Sequence, residues 1–365
     1  MDAALTNALL ARATQLLVIG LAFGFIVFVH ELGHFLGARL SGMAVHEFSL
    51  GIGRPLLFWF RRGETQYSLR LWPFFSYVRI AGMEPGDPHP RGFDRKTRPA
   101  QALVLALGCA MNFLLGVAIF VFVGAVVGRP VGVVNTIERV LPGSPAARAG
   151  LMAGDRLVGV GGKRNLALEK IQEAIRSHMG TPVTLEVERD GRRMSVTLVP
   201  RRETEPKVEG SRLIYEPVGR IGIVFRMRTE RMGVLRSVAA GFATSYEMTR
   251  MLTSYLVGVV SGKMPLVLMG PVGAAHQLYN DVKVSWTGFL GTAAALTIGI
   301  GFLNLLPIPP LDGSRLVILG LEAIRRRPFD KQKEVMVHLV GFALLMVLVV
   351  VLTYKDILRI LGVGQ

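Results

Sequence analysis

The chain has 365 residues, 51% apolar and 19% charged, with a formal net charge of +16 at pH 7 and a mean hydropathy of +0.44. That balance excludes an ordinary soluble protein and places the chain in a membrane. No nucleic-acid-binding motif accompanies the basic excess, so the charge reads as contact with anionic lipid and as a topology signal. The one cysteine, Cys109, lies in an apolar run; it rules out an intramolecular disulfide and says nothing of compartment.

Residues 16–29 are uncharged, and a helix over 15–38 would be about 36 Å long at about 1.5 Å per residue, enough to cross a bilayer. A cleaved signal peptide wants a basic start. Met1-Asp2 is acidic and Arg12 is the first basic residue, so residues 1–43 read as a retained first span. Its end carries His30-Glu31-Leu32-Gly33-His34, the pattern H-E-x-x-H. Residues four apart share a helix face, so His30 and His34 can turn both imidazoles to one metal ion, with Glu31 about 100° round the helix. Two neutral imidazoles suit zinc, and Glu31, off the metal, can take the proton from a water whose pKa the metal lowers to about 7. Two core or interfacial histidines are the bland alternative. Ionisable groups inside a span are costly and usually mark a functional site, which favours the metal.

Residues 44–99 lose the helical pattern and show short β-like runs at 45–49, 56–60, 66–71 and 76–80, punctuated by Gly51-Ile52-Gly53 and Arg62-Gly63 as turns. Open sheet edges do not sit in lipid, so this β region lies at the interface or dips in under cover of protein or water. A cytosolic hairpin pair and an edge strand that holds a substrate backbone extended are equally open readings. After a basic, Pro-rich link at 85–99, a second span covers 102–127 within a 100–127 segment. Its polar Asn112 reads first as helix-packing glue.

Residues 128–202 have the composition of a soluble domain. The line Ser144-Pro145-Ala146, Ala149-Gly150-Leu151, Gly154-Asp155, a helical stretch at 167–176, and two strands joined by Asp190-Gly191 resemble one PDZ domain of about 75 residues. PDZ domains bind extended chain ends by strand addition; a plain steric cover is the alternative. A charged linker and an interfacial amphipathic helix at 232–260, broken by Arg236, Glu247 and Arg250, fill 203–284, with Gly270-Pro271-Val272-Gly273 as a turn signal. The third span, 287–306 within 285–322, ends in Asn304-Leu305-Leu306-Pro307-Ile308-Pro309-Pro310-Leu311-Asp312-Gly313. The prolines force the backbone out of the helix and could swing Asp312 inward as the third ligand that a catalytic zinc needs. Capping of a helix at 313–325 is an equal alternative for Asp312. Residues 323–365 hold a basic loop, a fourth span at 335–353 and a tail. His338 in that span, like His46, His89, His178 and His276, reads as a packing or surface residue.

H-E-L-G-H, a distant N-x-x-P-x-P-P-L-D-G, the PDZ-like stretch between them and G-P-V-G ahead of the third span together resemble the site-2 protease family of intramembrane zinc metalloproteases. The similarity is nearest to the bacterial branch typified by the regulator of sigma E protease, and it covers nearly the whole chain. The resemblance implies that His30, His34 and Asp312 bind Zn2+, that Glu31 is the catalytic acid/base, and that Asn304 lies at the substrate. Gly51 and Gly53, in the β region, are expected to contact the substrate as well. The resemblance further implies substrates that are single-span membrane proteins, such as anti-sigma factors or signal-peptide remnants, trimmed first by another protease. Where that family has Gly-Pro before the Asn of the second span, this chain has Gly108-Cys109.

The expectation is thus a polytopic α-helical membrane protein of about four transmembrane helices, with a membrane-associated β-hairpin region and one extramembrane PDZ domain. Dense Arg and Lys at 39–98 and 315–333 put those segments in the cytoplasm of a bacterial inner membrane, with the PDZ domain outside and the active site near the cytoplasmic side. A catalytically silent PDZ-bearing scaffold is the alternative, and an ion or proton pathway a third; the full set of three ligands with Glu31 argues against the first, and the lack of repeated multi-span halves against the second.

Overall fold

The computed structural model describes residues 3–84, 86–209, 212–327 and 329–361. Helix α1 (Ala3–Leu40) leads into strands β1 (Val45–Arg62) and β2 (Thr65–Ile80) and helix α2 (Arg98–Phe122). A block of shorter elements follows: β3 (Arg129–Val140), α3 (Pro145–Arg148), β4 (Arg156–Val160), β5 (Lys163–Arg164), α4 (Leu168–Ser177), β6 (Val183–Arg189), β7 (Arg192–Leu198), β8 (Arg201–Glu209), β9 (Arg212–Arg220) and β10 (Ile223–Glu230). Helices α5 (Val234–Val260), α6 (Pro271–Val284), α7 (Trp286–Asn304), α8 (Asp312–Arg325) and α9 (Lys331–Ile360) complete the described chain. The elements fall into two compact units, Met1–Val123 with Val234–Ser254 and Val267–Gln365, and Gly124–Gly233 with Tyr255–Leu266.

Four helical segments, Arg12–Leu40, Arg98–Val127, Trp286–Asn304 and Gln332–Ile360, are long and apolar enough to cross a membrane. In lipid, helices associate where small residues let backbones approach, and the first unit uses this at its centre. A Cβ on Gly33 would run into the carbonyl oxygen of Leu107, and one on Gly37 would stand 2.8 Å from the Cα of Val104. Gly33 and Gly37, one small-xxx-small step apart, therefore set α2 directly against α1. Gly116 does the same for α2 and α7, where an added Cβ would lie 2.8 Å from Cδ1 of Ile298. Helix α2 is unbroken through Cys109, as a chain without proline at that position should be.

The β region differs from four separate short strands. The runs are segments of two continuous strands: residues 45–50 pair with 76–80 on one side and with 66–69 on the other, while 66–70 pair in turn with 55–61. Gly51 and Gly53, with φ of +101° and +94°, bend β1 back on itself without ending it. A Cβ at Gly51 would stand 2.9 Å from two carbonyl oxygens, of Arg70 and Trp72, so the bend needs glycine on space as well as on dihedral. Gly270-Pro271-Val272-Gly273 is likewise no free-standing turn. Gly270 is the N-cap of α6 and Pro271 its first residue, a position where the missing N–H costs nothing. The N–H of Gly273 donates to the buried carboxylate of Asp356 at 2.7 Å, tying α6 to α9.

In the second unit a sheet runs β10-β3-β4-β6-β7, with β5 on β4. Leu168, Ile171 and Ile175 of α4 are buried, and the two isoleucines sit in the core of this unit with Ile137, Leu157, Leu185 and Val187. Most of the described residues between 203 and 230, expected as a charged linker, are in strands: β8 pairs with β9, and β10 pairs with β3. Arg and Glu make up much of β8 and recur in β10, whose residues 226–230 are exposed, and that composition resembles a linker.

Asp155, 1% exposed, organises the α3–β4 turn by accepting from Nε of Arg189 at 2.6 Å, from Nη2 of Arg189 at 2.8 Å and from the Met152 N–H at 2.8 Å. Burial works to raise its pKa, but these hydrogen bonds and the guanidinium charge outweigh burial and hold the carboxyl below its usual range. A folded-state pKa below the unfolded one gives stabilisation that is full above about pH 4 and lost as pH falls through the folded value. Asp155→Ala should therefore destabilise this unit by about 2–3 kcal/mol at neutral pH, and by progressively less in acid. Hydrogen exchange of 137–189 against pH checks this; equal protection in both proteins at pH 7 would refute it.

Candidate metal centre

Helix α1 brings His30 and His34 to one face at i, i+4, and Asp312 reaches them from across 278 residues of sequence. The three side chains form a group whose ligand atoms lie within 4.8 Å of one another. Nε2 of His30 and Nε2 of His34 are 3.1 Å apart, and Oδ2 of Asp312 is 3.1 Å from the first and 3.2 Å from the second. Both imidazoles are over nine-tenths buried. Nδ1 of His34 donates to the carbonyl of Val104 at 2.9 Å, so in the neutral ring Nε2 is a bare lone pair. Three ligand atoms thus converge on one point, an arrangement that could hold a metal ion. Donors on a tetrahedral zinc at about 2.0–2.2 Å stand about 3.3–3.6 Å from each other, so the triangle fits that ion within about half an ångström.

Asp312 is not the cap of α8. Leu311 is the N-cap, without a side-chain cap bond, and Asp312 is the first helical residue, its carboxylate turned to the histidines. The prolines 307, 309 and 310 end α7 and let the chain double back. Gly313 is required there, because a Cβ would collide with the carbonyl of Leu305.

Glu31 stands outside the triangle. Its Oε2 accepts from the backbone N–H of Val78 at 3.1 Å. Within the β1–β2 pairing, residues 76–80 pair only with 45–50, so Val78 lies on an outer segment whose other side faces Glu31. Asn304, the last residue of α7, places Nδ2 3.4 Å from Nε2 of His30. The described contacts of Gly51 and Gly53 are with Ser49, Arg70, Leu71 and Trp72, not with the triangle.

Several partners of the centre carried little or no sequence signal. The Val78 N–H and the Val104 carbonyl are backbone groups that any residue supplies. Gly33 and Gly37 were passed over, although a G-x-x-x-G step inside an apolar helix is a signal that could have marked them. Gly108 is needed because a Cβ there would stand in the His34 ring, and Cys109 Sγ lies 4.0 Å from Oδ2 of Asp312. Among the other histidines, His46 pairs with Asp87 at 3.0 Å and stacks edge-on with His89; His178 Nδ1 donates to the carbonyl of Ala174 at 2.6 Å.

A family model for peptidase family M50 matches residues 18–348. The chain is similar to a zinc metalloprotease RasP of Geobacillus kaustophilus, 31% identical over 92% of this chain and 96% of the relative. It is 29% identical to the RasP of Oceanobacillus iheyensis, over 93% and 98% of the two chains. It is 28% identical to the regulator of sigma-W protease RasP of Bacillus subtilis, over 93% and 97%.

Proposed function

The chain belongs to peptidase family M50, and from that premise we propose that it is an intramembrane zinc endopeptidase that cuts membrane-spanning segments of single-span proteins. The observation that carries this reading is the triangle of His30, His34 and Asp312 on helices apolar enough to span a bilayer, with Glu31 beside it and off it. His30, His34 and Asp312 would hold the zinc. The ion, when bound, supplies a Lewis acid that acidifies a water and polarises the scissile carbonyl. Glu31 would take a proton from water and hand it to the leaving amine, with its carboxylate held at Oε2 by the Val78 N–H. The Asn304 amide faces the same space and would hydrogen-bond the substrate. The outer side of 76–80 would hold the substrate backbone extended by strand addition, with the bend at Gly51 and Gly53 shaping the sheet for it.

The second unit reads as a PDZ domain, supported by β10 at the end of its sheet, open to an added strand. Positive-inside charge would put the site near the cytoplasmic face of a bacterial inner membrane and this unit outside. From there it would select or exclude substrates without taking part in bond cleavage. Excision of 129–230, the full set of paired strands, should leave cleavage of a short pre-trimmed substrate intact and relax rejection of one with a bulky outer domain. Loss of both activities would sink the filter role.

The test of the main reading is reconstitution in liposomes with a single-span reporter. Chelation should stop cleavage, and zinc should restore it in proportion to bound metal; cleavage that persists in chelated, metal-free protein would overturn the reading.

A further inference from the structure

Asn112 of α2 is fully buried, its Oδ1 has no hydrogen-bond partner among the described residues, and its Nδ2 lies 3.3 Å from Nδ1 of His30. An amide buried in a helix seam is costly unless its polar ends are paired. The seam nonetheless accommodates it. Thr297 Oγ1 donates to the Asn112 backbone carbonyl at 3.3 Å, and Gly301 leaves the space, since a Cβ there would stand 3.1 Å from Cβ of Asn112. One helical turn on from Gly301, Asn304 reaches the other nitrogen of the same His30 ring.

We propose that Asn112 is the positioning residue that fixes His30 in its metal-binding tautomer, by accepting the Nδ1–H hydrogen bond through Oδ1. This rests on the reading of His30, His34 and Asp312 as zinc ligands. A neutral imidazole has one N–H and one lone pair, so with Nε2 committed to the ion, Nδ1 carries the hydrogen. An amide nitrogen facing that N–H opposes donor to donor and leaves Oδ1 orphaned: two faults. Oxygen and nitrogen of a carboxamide are interchangeable in shape. Turning the amide over puts Oδ1 where Nδ2 stands, satisfies Nδ1–H and leaves only the NH2 unmet. His34 is held by a different means, the Val104 carbonyl at 2.9 Å. One ligand is oriented by backbone, which no substitution removes, and the other by a side chain, which substitution does remove.

Zinc affinity measured by competition with a chelator on the purified full chain tests this, with the unfolding temperature of each metal-free protein and its rise on adding zinc. Asn112→Leu, which keeps the volume and loses the acceptor, should bind zinc about 10- to 100-fold more weakly, with a smaller zinc-induced rise and no lower metal-free unfolding temperature. Asn112→Asp, which restores an acceptor, should bind within about threefold of wild type or tighter. Wild-type affinity in Asn112→Leu overturns the proposal, as does an Asn112→Asp protein as weak as Asn112→Leu. If Asn112→Leu does not fold, Asn112→Ala against Asn112→Asp decides by the same affinities: weak binding by Asn112→Ala with tight binding by Asn112→Asp supports the role, and equal affinities overturn it. Zinc binding by Asp312→Ala as tight as that of wild type would instead remove the ligand set on which the inference stands.

Discussion

Glu31→Gln is expected to retain zinc at the wild-type level and to cut cleavage of a single-span reporter by about 100-fold or more, the range of a lost general base. The amide is isosteric and can still meet the Val78 N–H through its oxygen, so the strand segment at 76–80 keeps its anchor. What goes is the site that receives a proton. Changes to the triangle should act at the other step. Removing His34 deletes one of three donors, leaves the Val104 carbonyl without its N–H partner and should strip zinc and activity together. Asp312→Ala removes the sole anionic donor of the group and should do the same. Metal analysis alongside turnover separates the two classes; a zinc-loaded Glu31→Gln protein that cleaves at the wild-type rate would refute the role of this carboxylate.

The two steps were unequally legible in the sequence. His30, Glu31 and His34 lie within one helical turn and a fraction, so spacing alone predicts their geometry. Asp312 does not: an Asp after a run of prolines is as good a cap as a ligand, and only the observed N-cap at Leu311 separates the two. Asn112 read as packing glue, because a polar residue in an apolar helix gives no sign of which helix it faces. The spans were legible for the reverse reason, since about twenty apolar residues have few alternatives. Composition misled where exposure and charge dominate. Strand β10, Ile223–Glu230, turns Arg226, Arg228 and Glu230 outward, and a window average over such a strand resembles a linker. Gly51 and Gly53 were legible as a break in regularity, but the register that folds β1 over β2 on both sides is set by pairings no local pattern encodes.

That register bears on the last expected result. A helical substrate hides its carbonyls in i to i−4 bonds, so the peptide to be cut must first be unwound. Each polar group stranded in lipid costs several kcal/mol unless protein supplies a replacement partner; under the proposed function the outer side of 76–80, whose Val78 N–H is held by Glu31, would do so by strand addition through its remaining outward groups. Two consequences follow. Gly or Pro introduced into a poor substrate span should speed cleavage, because a Gly weakens a helix by about 1 kcal/mol and a Pro by about 3, and replacing such breakers with Leu should slow it. Within the protease, Val78→Pro removes the one backbone N–H that holds Glu31. Turnover should fall by about 100-fold with zinc content unchanged, whereas proline at an exposed turn position such as Glu64 should be silent. Rates indifferent to substrate helicity, together with a fully active Val78→Pro protein, would leave the sheet no part in catalysis; a drop in both zinc and turnover for Val78→Pro would assign it a structural role instead.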